Sequence, residues 1–211
     1  MKSLLRVEQL SKEAILYQIS FDVKPEEMVA IMGPSGSGKS TLLYNVAGMD
    51  QPSEGKIWLK QTEITKLTED EKADLRLRRM GFVFQQMNMM SNLNILENIL
   101  LPVMQANKGK KGKSKSALIA DAKRLMQKFS IADLGDRSIA QVSGGQLQKA
   151  CICRSMMNEP EILFADEPTG SVKLVQHYPK EIPVILFSLS MRISDMTDRH
   201  SVRFSSRVSD S

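Results

Sequence analysis

Short apolar runs alternate with longer stretches of helical pattern along most of this chain. The runs have the length and alternation typical of strands, whereas the longer stretches repeat their apolar residues at helical spacing. Thr68 and Glu71 stand at the spacing of a helix-capping box. The pattern predicts strands at residues 4–10, 15–23, 28–32, 55–59, 81–84, 161–165 and 182–187, and helices at 42–47, 68–79 and, with an interruption, 94–136.

Apolar strands that alternate with helices favour an α/β fold with a largely parallel sheet. In such folds, ligands bind beyond the carboxyl ends of the strands. The helical pattern of residues 94–136, interrupted by a lysine-rich stretch, predicts an inserted helical lobe. With 211 residues, 42% of them hydrophobic, the chain is long enough to bury one full core.

Charge and cysteine content indicate which partners and which redox compartment to expect. Much of the modest net charge of +5 comes from the lysines of residues 108–115, which we interpret as a solvated loop. The alternative is contact with anionic lipid headgroups or nucleic acid. No aromatic side chains interleave, so no nucleic acid partner is expected. Cys151 and Cys153, two residues apart on a predicted helix, face different ways, which disfavours a disulfide or metal pair and suits a reducing cytosol.

Long apolar segments are not evident in the sequence. The first ten residues contain no signal-peptide core, and the best apolar run, residues 182–191, is about half of a membrane span. The sequence therefore predicts a cytoplasmic protein that is soluble or peripheral to a membrane component.

The clearest chemical motif follows the predicted strand 28–32. It reads G-x-x-x-x-G-K-S and leads into a helix, which is the context of a phosphate-binding loop. Its glycines let backbone N–H groups and a helix N-terminus face an anion. Lys39 would reach the β- and γ-phosphates, and Ser40 would ligate Mg²⁺. A Gly/Ser-rich turn that binds nothing needs neither the strand nor the Lys-Ser pair. We therefore predict nucleoside triphosphate binding by Gly33, Pro34, Ser35, Gly36, Ser37, Gly38, Lys39, Ser40 and Thr41.

Two carboxylates end the apolar run 162–165. Alternate residues of a strand face opposite ways, so Asp166 and Glu167 are expected to have different roles. Asp166 would hold the Mg²⁺ shell, usually through water, and Glu167 would polarise the attacking water as a general base. A solvated acidic turn is the alternative, but the phosphate loop makes the catalytic interpretation the better one.

A second glycine-rich segment opens a predicted helix about twenty residues before Asp166. It reads Val142-Ser143-Gly144-Gly145-Gln146 and resembles the LSGGQ signature of ATP-binding cassette (ABC) transporter ATPases, with Val142 in place of leucine. The alternative is an ordinary helix N-cap formed by Ser143. A P-loop ATPase needs one anion site for its own phosphates, so a second such site makes sense if it closes over nucleotide held by another copy.

The resemblance to ABC ATPases covers roughly residues 4–170. Residues 81–86 resemble the Q-loop of the family, which implies that Gln85 senses Mg²⁺ and the nucleophilic water, and residues 166–170 match its second carboxylate motif. The sequences of the phosphate loop and of residues 98–102 resemble those of one branch of the ABC ATPases, which serves lipoprotein release, macrolide export and antimicrobial-peptide resistance. In that branch a separate cytosolic ATPase dimerises beneath FtsX-like membrane subunits.

The resemblance implies a P-loop NTPase (RecA-like) core with a mostly parallel sheet, an antiparallel β edge and an inserted helical subdomain. One ABC ATPase domain would span residues 1–211, with its core at 1–86 and 137–211, its helical subdomain at 87–136 and a divergent tail at 171–211. ATP and Mg²⁺ would be the ligands. Catalysis would use Glu167 and Gln85, and the metal site would use Ser40, Gln85 and Asp166. The nucleotide held by a second copy or a paralogous ATPase would be contacted by Ser143, Gly144, Gly145 and Gln146.

The expected function is ATP hydrolysis that powers export or extraction of a substrate. The substrate would move through separate FtsX-like permease subunits, with the chain bound at the inner face of the cell membrane. Two other functions stay open. One is a degenerate nucleotide-binding module with little ATPase activity. The other is a soluble ABC ATPase acting on DNA or ribosomes, although such proteins usually carry two cassettes or coiled-coil insertions that this chain lacks.

Two departures from the family pattern bear on activity. No aromatic residue to stack on adenine occurs at residues 11–14, and Tyr17 fits the following strand better. Beyond Gly170, Lys173 replaces the aspartate of the D-loop, and no switch histidine follows the run 182–187. His200 lies near the expected distance but resembles an ordinary exposed histidine, and His177 is too close to the D-loop position. A shifted reading frame or real divergence would explain this tail, and we expect weak hydrolysis.

Overall fold

The computed structural model describes residues 3–109, 112–166, 182–188 and 203–204. Our interpretations of Glu167, Lys173, His177 and His200 lie outside these residues. The described ranges contain nine strands and five α-helices: β1 Leu5–Lys12, β2 Leu16–Val23, β3 Met28–Met32, α1 Lys39–Val46, β4 Glu54–Leu59, β5 Thr62–Glu63, α2 Glu69–Arg79, β6 Met80–Val83, α3 Ile95–Ala106, α4 Lys115–Lys128, α5 Gly144–Met156, β7 Ile162–Asp166, β8 Val184–Ser188 and β9 Arg203–Phe204.

The strands form two sheets of different character. A five-stranded sheet has the order β6-β7-β8-β3-β9, and each of its neighbouring pairs is parallel, as predicted. A four-stranded sheet has the order β2-β1-β4-β5, and its pairs are antiparallel. The fold is therefore mixed α/β, with the parallel sheet and the antiparallel β region that we expected.

Each face of the parallel sheet packs against a different hydrophobic core. In β3, Ala30 points to the core shared with α3, α4 and α5, whereas Val29 and Ile31 point to the core shared with α1 and the antiparallel sheet. The alternation follows from the strand period of two, and burial on both faces explains the continuous apolar run. The sheet is thus held rigidly between two layers, with its loops free to form a site at the edge.

Capping boxes fix where three of the described α-helices begin. The predicted capping box of Thr68 and Glu71 precedes α2, and the structure confirms it. Equivalent boxes precede α3 and α5, formed by Asn94 with Glu97 and by Ser143 with Gln146. Each box satisfies two backbone donors at a helix start, so α3 and α5 begin at defined residues.

The lysine-rich stretch is shorter as a loop than the sequence suggested. Lys115 already belongs to α4, which is capped by Ser114. Lys113 stays half exposed, but its ammonium pairs with the carboxylates of Asp121 at 2.9 Å and Glu159 at 3.2 Å. These two acids hold the pKa of Lys113 above its usual value. Lys113 is exposed and lies in the loop, as we expected, although it carries these two ion pairs. The interpretation as a loop is wrong at Lys115, which belongs to α4.

Among the residues that the structure describes, none of the helices combines the length and apolar character needed to cross a bilayer.

Candidate functional site

Glycine is required at three points of the phosphate loop between β3 and α1. Gly36 and Gly38 have φ values of 80° and 81°, a region that side chains disfavour. Gly33 has no room for one, because an added Cβ would lie 2.6 Å from the Ser37 hydroxyl oxygen. The chain therefore curls tightly from the end of β3 into the first turn of α1, as the sequence motif predicts.

The start of α1 is arranged to receive an anion. Gly38 provides no side-chain cap, and the first turn contains no acidic residue, so its N–H groups are not satisfied by a neighbouring carboxylate. The helix dipole adds a partial positive charge at the same place. The Ser37 hydroxyl oxygen is buried and has no hydrogen-bond partner among the described residues. These features fit a bound phosphate group.

Lys39 lies across the loop with its ammonium already hydrogen-bonded. Its side-chain nitrogen donates to the carbonyls of Gly33 at 2.8 Å and Pro34 at 2.7 Å, and the residue is 8% exposed. A compact ammonium with three donors can exchange carbonyl partners for phosphate oxygens without rearranging the fold. The loop therefore keeps its one lysine poised where an anion would bind.

The other predicted ligands of the metal and the γ-phosphate lie at the same edge of the sheet. The parallel registers align Met32 with Ser188, Phe187 with Asp166, and Ala165 with Val83. The carboxyl ends of β3, β7 and β6 consequently face one way, which brings together the phosphate loop, Asp166 and the segment containing Gln85. Gln85 is exposed and Asp166 is half-buried.

Few metal-ligating side chains are seen at this edge in the part of the chain that the structure describes. Within the described residues, no three His, Cys, Asp or Glu side chains cluster as a metal site would require. Mg²⁺ is usually bound by one or two carboxylates plus substrate phosphates and water. Ser40 and Asp166 could hold it in that manner, with Gln85 close to the same shell.

The signature segment is exposed at the start of α5. The Ser143 hydroxyl accepts the Gln146 backbone N–H at 3.3 Å, and the Gln146 side chain accepts the Ser143 N–H at 2.8 Å. Ser143 does cap the helix, but a cap does not explain the two glycines that follow. A Cβ added to Gly144 or Gly145 meets nothing within 4 Å among the described residues. No packing contact among the described residues therefore requires glycine at these two positions.

The turn before β2 lies against the phosphate loop at Gly38. Tyr17 lies in β2, as expected, with its side chain 61% exposed. Ile15, which the sequence analysis missed, is 46% exposed and lies so close to Gly38 that a Cβ there would meet its Cγ2 at 2.9 Å. An apolar residue before a strand gives no sequence signal of this position.

Both cysteines of α5 are buried free thiols. Burial raises the pKa of Cys151 to about 11 and that of Cys153 to about 12. A protonated, inaccessible thiol is a poor nucleophile and a poor metal ligand.

Comparison with known proteins identifies the class of site. The sequence model of the ABC transporter family matches residues 16–170. The macrolide export ATP-binding/permease protein MacB of Campylobacter jejuni is 41% identical over 163 residues, which cover 77% of this chain and 25% of that protein. The lipoprotein-releasing system ATP-binding protein LolD of Aquifex aeolicus is 40% identical over 176 residues, covering 82% of this chain and 76% of LolD. The chain thus spans a quarter of this MacB.

Solved structures give the same result for the fold. The dimeric structure of MJ0796, a bacterial ABC transporter cassette, superposes with a TM-score of 0.80 at 27% identity and covers 94% of both chains. A dimeric post-hydrolysis state of the ATP-binding cassette MJ0796, bound to ADP and Pi, gives a TM-score of 0.76 at 29% identity and covers 87% of both chains. The architecture is that of a P-loop NTPase cassette.

Proposed function

The chain belongs to the ABC transporter family, and from this premise we propose that it binds and hydrolyses ATP to drive a substrate through separate membrane subunits. The observation that carries the proposal is the phosphate loop, which contains the Lys39 ammonium, a Ser37 hydroxyl that is buried without a partner among the described residues, and the uncapped first turn of α1. An ABC transporter ATP-binding subunit requires such a site on every copy.

Each residue of the site has a physical task in ATP binding. Lys39 exchanges the carbonyls of Gly33 and Pro34 for the β- and γ-phosphates, and the loop N–H groups hold the remaining oxygens. Ser40 and Asp166 would hold Mg²⁺, which would supply positive charge to the phosphates. Gln85 orients the attacking water, and Glu167 removes its proton. The roles of these residues are inferred from their places in the motifs and at the sheet edge.

A second copy, or a paralogous ATPase, completes the site. Gly144 and Gly145 leave open space at the start of α5, which a phosphate of the partner's nucleotide would fill. The MJ0796 cassette is dimeric in its solved structures, which supports such a pair. We infer that two chains close head to tail over two ATP molecules and reopen after hydrolysis.

The membrane partners are inferred from the relatives. LolD is named as the ATP-binding protein of a lipoprotein-releasing system, and the name of MacB joins an ATP-binding part to a permease for macrolide export. We propose that this chain likewise works from the cytoplasmic face of the cell membrane on FtsX-like permease subunits. These subunits would select the substrate and the direction of its movement.

A second candidate function is nucleotide binding with little hydrolysis. It is favoured by Lys173 at the D-loop position and by β8, which lies between β3 and β7 and ends at Ser188 without a histidine following at residues 189–190. A switch histidine at this edge would stabilise charge that develops on the γ-phosphate.

A calorimetric ATP titration tests the proposed function. The Lys39→Ala variant loses the one side-chain cation of the loop, so ATP affinity should fall roughly ten- to hundredfold. Equal affinity in the native and variant chains would contradict the nucleotide site. Co-purification of the native chain with the membrane fraction would separate a transport role from a soluble ABC ATPase, and steady-state hydrolysis would separate a working ATPase from the binding-only module.

A further inference from the structure

The segment behind Gln85 is held by side chains rather than by regular structure. Residues 84–93 belong to no strand or helix. The guanidinium of Arg154, on α5, donates to the carbonyl of Met87 at 2.7 Å and to that of Asn88 at 2.8 Å. The Cys151 thiol, one turn earlier on α5, also donates to Met87 at 3.5 Å. Asn88 has φ of 46°, so these hydrogen bonds from α5 hold the chain where its backbone is strained.

A second set of hydrogen bonds comes from α3. The fully buried Asn98 side chain accepts the backbone N–H of Met90 at 2.8 Å and donates to the Met90 carbonyl at 3.1 Å. Its amide also donates to the carbonyls of Leu93 at 3.2 Å and Asn94 at 3.0 Å. A buried amide that satisfies four backbone groups is costly to replace, because each orphaned partner would stay desolvated. The segment that follows Gln85 is therefore held at two places, by Arg154 at residues 87–88 and by Asn98 at residues 90–94.

The helix that carries Arg154 begins at the signature segment. Ser143 caps α5, and Arg154 lies eleven residues further on in the same helix. At 1.5 Å per residue the two ends are about 16 Å apart. One continuous helix thus connects the exposed Gly144 and Gly145 with the loop that follows Gln85.

We propose that Arg154 is a positioning residue that ties Gln85 to the signature helix of the same chain, with Asn98 as the fixed support of the loop. Contact of the signature segment with a partner's nucleotide moves α5, and Arg154 passes this movement to Gln85 at the chain's own nucleotide. The inference rests on the proposed function and names a residue through which the two sites of a pair communicate.

The test measures how much Mg²⁺ strengthens ATP binding, because Gln85 acts at the metal whereas the phosphate loop binds ATP without it. The native chain and Arg154→Met are titrated with ATP in the presence and absence of Mg²⁺, alone and in a Gln85→Ala background. Arg78→Met is the control, since Arg78 also donates to a backbone carbonyl, that of Ala106 on α3 at 2.8 Å, and its other partner is Asp74 on its own helix rather than the segment after Gln85. Arg154→Lys keeps the charge but loses the planar fork that reaches both carbonyls, and should restore part of the effect.

We expect Arg154→Met to lower the Mg²⁺-dependent gain in ATP affinity about tenfold, which is the scale of lost charge-assisted bonds, and to leave Mg²⁺-free binding within about twofold. In the Gln85→Ala background the same substitution should change nothing further, which is the signature of one residue acting through another. Arg78→Met should leave the gain unchanged.

Three results would overturn the inference while the proposed function stands. Arg154→Met could lower the Mg²⁺-dependent gain equally in the Gln85→Ala background, it could weaken Mg²⁺-free ATP binding by the same factor, or it could leave the gain unchanged. If Arg154→Met melts at a lower temperature than Arg78→Met, then Arg154→Lys carries the same test with a smaller expected change. A native chain that binds no ATP with or without Mg²⁺ would overturn the proposed function and this inference together.

Discussion

Replacement of Gly145 by alanine should affect stability and assembly in opposite directions. Gly145 lies in the first turn of α5, and an added Cβ meets nothing within 4 Å in the described chain. Alanine restricts the unfolded chain more than glycine does, so the free energy of unfolding should rise by about 0.4–1 kcal/mol. For a chain of this size that gain raises Tm by about 1–4 °C.

The same substitution should weaken the pairing of two chains, although it stabilises the single chain. If the open space at Gly145 receives the partner's nucleotide, an extra methyl group overpacks the contact at a cost of about 1–3 kcal/mol, and a symmetric pair carries that cost twice. Thermal unfolding without nucleotide and light scattering with ATP and Mg²⁺ measure the two effects on the same sample. The Glu167→Gln background keeps bound ATP from turning over during sizing.

Gly81→Ala is the matched control for crowding inside the chain. A Cβ at Gly81 would lie 2.3 Å from Leu163 Cδ2 and 2.5 Å from the Ser155 carbonyl, so this variant should lose about 1–3 kcal/mol of stability. A clear drop in the Tm of Gly145→Ala would show that the chain itself needs this glycine. Unchanged pairing of Gly145→Ala would refute the close approach of a partner.

Three further outcomes follow from the structure and the sequence. Thr68→Ala breaks the capping box of α2 and should cost about 1 kcal/mol, seen as a Tm lower by about 2–4 °C; an unchanged Tm would argue against the cap. Burial raises the pKa of Cys151 to about 11 and that of Cys153 to about 12, from an ordinary 9.0, so the stability that these buried thiols contribute is fully present below pH 9 and declines as pH rises towards these values. Iodoacetamide should label both cysteines only after unfolding, as followed by mass spectrometry, and rapid labelling of the native chain would contradict their burial. His200→Ala should leave the expected slow rate of ATP hydrolysis unchanged. A family-like segment from Ala-Leu-Asp to Thr-His-Asp, grafted after Gly170, should raise that rate about 10²-fold. Fast hydrolysis by the native chain that is lost in His200→Ala would show that the tail supplies the switch histidine.

Local patterns predicted those parts of the fold that local chemistry decides. The phosphate loop and the cap of Thr68 follow from residues a few positions apart, and both appear where the sequence put them. The start of α1 was less visible, because Lys39, Ser40 and Thr41 are polar and the apolar pattern begins only at Leu42. Two-residue strands such as β5 are too short to carry any alternation.

Contacts between distant residues account for most of what the sequence did not predict. Arg154 meets the carbonyl of Met87 across 67 positions, and its partner is a backbone group that any residue type provides. Asn98 is fully buried on a helix where a polar residue ordinarily predicts an exposed position. The ion pair of Lys113 with Glu159 likewise depends on how the segment before α4 lies against the residues that follow α5. Such residues become visible only when the fold brings their partners together.

The most direct test of the account is the mass and nucleotide content of Glu167→Gln at saturating ATP and Mg²⁺. Light scattering should give twice the 23.6 kDa of the single chain, with two ATP molecules recovered per pair, and the pair should fall apart when ATP is omitted or when Lys39 is also replaced by alanine. A particle of 23.6 kDa that holds ATP would contradict closure of two chains over nucleotide and would favour the binding-only module. A particle without ATP would contradict the nucleotide site itself.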